Sequence, residues 1–156
     1  MSSFSINRAS FTPVANATQA DNWVLTAITV GIIGKVRQFS WGSRSVTSAG
    51  YRTRWGRVNN TPVTPTALTI AATNPNTTPL CSVNTYGTQA TLAADPVALH
   101  AVDWNSLGGG GVINLPFGTE WLIAGAALGA AFNQIACGNI AGNEANTTNY
   151  GLLWDE

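Results

Sequence analysis

"KVRQFSWGSRSVTSAGYRTRWGR", residues 35–57, decides the fold class. Both ends of this stretch alternate with a period of two. Arg37, Phe39 and Trp41 fall on one side of the first end, and Val36, Gln38 and Ser40 on the other. In the second end Tyr51, Thr53 and Trp55 oppose Arg52 and Arg54. That is the period of a β-strand, whose successive side chains leave opposite faces of a sheet. Small residues between the ends read as a turn, and Trp41 and Trp55 are placed to meet across a hairpin.

Outward from here the chain continues as strand and turn. "WVLTAITVGII" (23–33) is a β-branched apolar run stopped by Gly34. Further strands are expected at "ALTIAA" (67–72), "TQATLAA" (88–94), "ALHAVDW" (98–104), "GVINLPF" (111–117), "EWLIAGAAL" (120–128), "AAFNQIACG" (130–138) and "YGLLWDE" (150–156). Gly, Pro and Asn turns separate them at intervals of about 8–12 residues, the spacing of an all-β sandwich or barrel. Helical periodicity is almost absent. Residues 1–22 are polar and poor in strand signal, and read as an N-terminal arm that orders against a neighbour. Residues 23–156 read as a single β-sandwich domain. The Asn-, Thr- and Pro-rich segment 59–79 reads as an exposed excursion. The glycine run "LGGGG" (107–111) has strands on both sides, so it is expected as a loop or bulge within the domain.

Charge is scarce and unevenly placed. Only 9% of the 156 residues are charged, and the net charge is zero, against about 25% charged in an average soluble protein. Residues 1–57 carry all seven Lys/Arg and one acid, Asp21, a net +6; residues 58–156 carry six acids and no Lys or Arg, a net −6. Such a surface gives little repulsion between copies and suits a subunit largely covered in an assembly. No secretory signal is present, and the longest apolar run, 121–132, is shorter than the ~20 residues that span a bilayer. The chain is therefore expected to be soluble and free of membrane. Cys81 and Cys137 stand in no metal or redox spacing and are expected as buried free thiols.

The residues that could carry chemistry are few. His100 is the only histidine, too few for a histidine-based metal site, and its place in an alternating strand favours a structural role. His100 and Asp103 are three apart on a strand, so their side chains leave opposite faces. None of the fingerprints G-x-S-x-G, H-E-x-x-H, P-loop or G-x-G-x-x-G occurs. No catalytic residue, cofactor or metal is expected, and the chain is not read as an enzyme.

Arg52 and Arg54 share a strand face, with Arg57 just beyond and Arg44 in the preceding turn. Three readings compete: a solvated basic face, an acidic protein partner, or a single-stranded nucleic-acid site using Trp41, Arg52, Arg54 and Trp55 by phosphate contact and stacking. The neutral chain weighs against the last, since such binders are strongly basic. Arginine's planar fork suits carboxylates, and the C-terminal Asp155 and Glu156, behind Trp154 as anchor, offer them. Docking of the Arg strand on this terminus, within or between subunits, is a hypothesis these residues raise beside the solvated face.

With these residues in view, the chain resembles small phage virion proteins of jelly-roll type. The resemblance rests on "VRQFSWGSRSVTSAGYRTRWGRV", "GGVINLPFGTEWLIAGAAL" and the terminal "YGLLWDE", and covers residues 23–156. It implies a jelly-roll-like β-sandwich of about 8–10 antiparallel strands, with a flexible N-terminal arm. It also implies a homotrimer that decorates and cements a capsid surface, with the major capsid protein as partner. No catalytic residue accompanies it. The interface candidates are Arg44, Arg52, Arg54, Arg57, Trp154, Asp155 and Glu156. A second reading is a receptor- or glycan-binding domain of a tail fibre or spike, stacking sugars on Trp residues of loops 104–111 or 59–79. A chain that starts at its own Met1 without a stalk favours decoration over that reading.

Overall fold

The computed structural model of this chain describes residues 2–11, 20–28, 31, 33–43, 46–58, 63–88, 98–124, 134–140 and 148–156. Among them run twelve strands and no helix. They are β1 (Ser3–Phe11), β2 (Ala20–Ala27), β3 (Ile33–Ser43), β4 (Gly50–Arg57), β5 (Val63–Ala67), β6 (Ala71–Ala72), β7 (Cys81–Thr88), β8 (Ala98–Asn105), β9 (Gly110–Asn114), β10 (Trp121–Ala124), β11 (Gln134–Ile140) and β12 (Thr148–Asp155).

Two six-stranded antiparallel sheets pack face to face. The first has the order β10–β3–β12–β1–β6, with β9 also on β3; the second has the order β5–β7–β2–β11–β4–β8. Successive strands β1 to β4 alternate between the sheets. The end of the chain returns to pair between them, β12 between β1 and β3 and β11 between β2 and β4. This nesting is the jelly roll, an all-β sandwich. On the free side of β3, β10 pairs residues 33–36 and β9 pairs residues 38–42, so the two lie end to end along one edge.

Three expectations are corrected here. Residues 3–11 are not an arm: β1 sits inside the first sheet, paired to β12 along most of its length and to β6 on the other side. Phe4 and Ile6 from this strand are buried in the core, an apolar pair that the surrounding polar residues obscure. Nor do β3 and β4 form a hairpin, since they belong to different sheets. Trp41 and Trp55 do meet, with ring centroids 5.6 Å apart, but across the sandwich. Finally, segment 59–79 is not simply an excursion. Its β5 closes one edge of the second sheet, where Pro65 is tolerated because the outer strand needs no donor on its free side. Its β6 closes an edge of the first sheet, and Leu68, Ile70 and Ala72 pack against the core between them.

The core fills from both inner faces. Trp23 and Leu25 of β2, Trp55 of β4 and Ile135 and Cys137 of β11 meet Phe4 of β1, Val36 and Phe39 of β3 and Tyr150, Leu152 and Trp154 of β12. Truncating a buried Trp to Ala costs about 3–5 kcal/mol, a large part of a domain's total stability of about 5–15 kcal/mol. One hydrogen bond in this interior joins the sheets: Thr53 Oγ1 of β4 lies 3.1 Å from Tyr150 Oη of β12, and within its own sheet it accepts Trp104 Nε1–H at 2.9 Å.

Both cysteines are buried free thiols, as expected. The glycine run holds the β8–β9 turn. Gly108 has φ 83°, and a Cβ on Gly111 would stand 2.7 Å from the Trp41 indole. Only a bare backbone can lie flat on that ring.

Candidate functional site

The arginine stretch forms β4, between β11 and β8. Tyr51, Thr53 and Trp55 are buried on its inner side, while Arg52 is exposed and Arg54 half-buried on the outer side. The alternation read from sequence therefore holds. Arg52 stands opposite Asp103 of β8, Nε to Oδ1 3.8 Å, with both side chains largely in water. An exposed pair of this kind contributes little. Strand alternation puts Arg57 on the same side as Trp55, away from Arg52 and Arg54, and burial lowers its pKa. Arg44 lies outside the described residues. The arginines of β4 thus do not share one surface.

The C-terminal carboxylates turn elsewhere. β12 lies in the first sheet and β4 in the second, so the Arg strand does not dock on the terminus within the subunit, and the terminus pairs elsewhere. At Arg37 the register between β3 and β12 slips: Leu153 pairs Gln38, but Trp154 pairs Val36. One extra residue on β3 makes a β-bulge. The bulge lets Val36 and Phe39 both point inward, which strict alternation forbids, and it turns Arg37 outward. Arg37 Nε donates to Asp155 Oδ2 at 2.7 Å, and its Nη1 donates to Glu120 Oε1 at 3.0 Å. Ser3 Oγ completes the set by donating to Asp155 Oδ1 at 2.7 Å.

These contacts set the acidities. Burial alone would raise Asp155, but hydrogen bonds from Arg37 and Ser3 and the Arg37 charge hold its carboxyl below the ordinary value. Glu120 is held low by its own backbone N–H, against burial, with help from the Gly118 N–H and the charges of Arg37 and Lys35. The next residue latches the sheets together: the Glu156 carboxylate accepts the Leu80 N–H at 2.6 Å, the Cys81 N–H at 2.9 Å and Trp154 Nε1–H at 2.8 Å. Trp154 itself is fully buried and stacks on Phe4. Trp154, Asp155 and Glu156 are thus engaged inside their own subunit, and Trp154 is a core residue instead of a surface anchor.

The aromatic side chains point inward as well. Phe39 is ringed by Trp55, Trp121, His100 and Trp41 at centroid distances of 4.5, 4.7, 5.4 and 6.4 Å. His100 packs there, while Asp103 faces solvent on the other side of β8. Trp104 stacks on Tyr51 at 4.9 Å and donates its N–H inward to Thr53, so its ring is already occupied. Trp55 and the outward arginines Arg52 and Arg54 leave opposite faces of β4. A base stacked on Trp55 could not also lay its phosphate on them. Among the described residues, no three of His, Cys, Asp and Glu come close enough to hold a metal ion.

Among the described residues, the exposed large apolar side chains fall in two segments, Ile28, Ile33 and Val46 in one and Leu107, Val112, Phe117 and Leu122 in the other. The pairing of β3 with β9 and β10 sets Ile33, Val112 and Leu122 along one edge. Phe117 is 85% exposed at the tip of a turn in which Thr119 N–H donates to the Pro116 carbonyl at 2.9 Å. Gly118 supplies the positive φ, 90°, at the third position of that turn. Its N–H donates to Glu120 Oε2 at 2.7 Å, tying the turn to the Arg37–Asp155 network. Sequence reading found the Pro-Gly turn but missed Arg37, Glu120 and Phe117. The bulge that joins the first two leaves no mark in the residue pattern.

No family model, no curated protein and no solved structure matches this chain.

Proposed function

We propose that the protein is a structural virion protein that decorates a phage capsid and cements it through protein–protein contacts. Its partners are the major capsid protein and further copies of itself, as a homotrimer, and its place is the capsid surface. The observation that supports this most is how the jelly roll distributes its chemistry. The carboxylates Glu120, Asp155 and Glu156 bind groups of their own fold, and His100 packs among aromatic rings. Among the described residues the outward charges are few, chiefly the exposed Arg52–Asp103 pair, and an apolar edge runs along β9 and β10. Flat faces of this kind suit contact with many identical sites, since interface cores are poor in charge and rich in apolar and aromatic side chains. A protein that binds only the assembled shell stabilises that shell by mass action.

Capsids prepared without the protein test this. They are expected to rupture at a lower temperature, to bind the purified protein, and to regain their stability when it is added. Failure of the protein to sediment with capsids, or an unchanged rupture temperature after binding, contradicts the proposal.

A further inference from the structure

We infer that the edge of the first sheet formed by β9, the Pro116–Thr119 turn and β10 lies against the symmetry axis of a homo-oligomer, where it meets the same edge of other copies of this chain. Three observations lead there. The first is placement: Val112, Phe117, Leu122 and Ile33 follow one another down this edge, at 57%, 85%, 47% and 54% exposure. Their exposed side-chain surface is on the order of 400 Å², within the range of the largest patches on monomers, which are often functional. It is roughly half of the ~800 Å² per partner in a standard interface, the apolar centre of such a contact. Around it Gln38, Asn114 and Ser40 supply a polar rim, Gln38 Nε2 donating to Asn114 Oδ1 at 2.6 Å.

The second observation is rigidity. Phe117 does not hang on a loose loop. The turn beneath it is closed by Thr119 N–H and Thr119 Oγ1, both donating to the Pro116 carbonyl, and by Gly118 N–H donating to Glu120. Glu120 is fixed in turn by Arg37, and Arg37 by Asp155. An aromatic side chain carried on a backbone that is held in place before contact costs less ordering on binding, which suits an interface anchor.

The third observation identifies the occupant. Near a rotation axis each copy presents the same residues to the next, so a patch with net charge would repel itself. The charges beside this edge are Lys35 and Arg37 against Glu120 and Asp155, and they cancel. The whole chain also carries no net charge. The patch is therefore compatible with itself, and the apolar surface of one copy is covered by that of the next.

The inference goes beyond the virion reading, because it concerns the purified chain alone. Sedimentation velocity of the full chain over a wide concentration range tests it. The expected result is a concentration-dependent oligomer whose dissociation constant rises about thirtyfold in Phe117→Asp, the size expected for loss of an interface anchor, with Leu122→Asp acting likewise. Val46→Asp, as exposed but off this edge, leaves association unchanged. The thermal midpoint of Phe117→Asp stays near the parent's, since its side chain is 85% exposed within the monomer. A chain that is monomeric at every concentration overturns the inference, as does an oligomer indifferent to both edge substitutions. A monomer that still binds capsids would end this inference and leave the virion reading standing; an oligomer that ignores capsids would do the reverse.

Discussion

Arg37 shows how much one residue of register can decide. Because β3 carries one extra residue against β12, this side chain leaves the core and bridges Glu120 and Asp155. Both carboxyls stand below their ordinary values of 4.5 and 3.8. Protonation therefore favours the unfolded chain: the stability these groups supply is present above the ordinary values and lost as pH falls through the lower folded ones. The thermal midpoint should hold from neutrality down to about pH 5 and drop steeply below about pH 4. In the double variant Glu120→Gln and Asp155→Asn the drop should be shallower; an unaltered profile would mean these carboxyls are not its source. Gly111 makes a second point at this scale. A methyl group there meets the Trp41 indole, so Gly111→Ala should destabilise by about 1–3 kcal/mol in urea unfolding, the usual size of overpacking.

At the scale of elements, the bond from Thr53 to Tyr150 crosses from one sheet to the other, and Trp104 donates to the same hydroxyl. Thr53→Val keeps the shape but removes the hydroxyl that Tyr150 Oη and Trp104 Nε1–H share. The expected loss is about 1–3 kcal/mol, read by chemical denaturation, and a neutral change would show the bond to be dispensable. Legibility also divides at this scale. β4 was plain in the sequence because Tyr51, Thr53 and Trp55 alternate with arginines, and so were β8 and β12. β1 was hidden because Phe4 and Ile6 are its only large apolar residues before Phe11, set among Ser and Asn. β7 was hidden because Cys81 and Val83 are followed by Asn, Thr, Tyr, Gly and Thr, in which one aromatic among polar residues marks no clear apolar face. Its place comes instead from pairing with β2 and β5, contacts far apart in the chain. The site was less legible than the fold for the same reason. A bulge, a carboxylate latch and an apolar edge all arise from tertiary register, and the arginines that drew the eye turn out to face different ways.

At the scale of the molecule, the two oppositely charged halves of the chain interleave. The pairs Arg37–Glu120, Arg37–Asp155 and Arg52–Asp103 each join a cation from residues 1–57 to an acid from residues 58–156. The jelly roll brings this about by laying β12 beside β3 and β8 beside β4. A chain that neutralises itself in this way keeps little long-range field, which suits dense packing of many copies. The thiols fit the same picture: Cys81 and Cys137 are buried, and burial drives the Cys81 thiol well above its ordinary pKa. Neither should react with a bulky thiol reagent until the chain unfolds, and rapid labelling of the native protein would show the core to be open. The most direct measurement of the central claim is a three-dimensional map of intact phage particles at a resolution that separates sheets. It is expected to show this two-sheet sandwich repeated over the head lattice and seated on the major capsid protein. Particles whose heads lack it, or carry it only at the tail vertex, would contradict the claim.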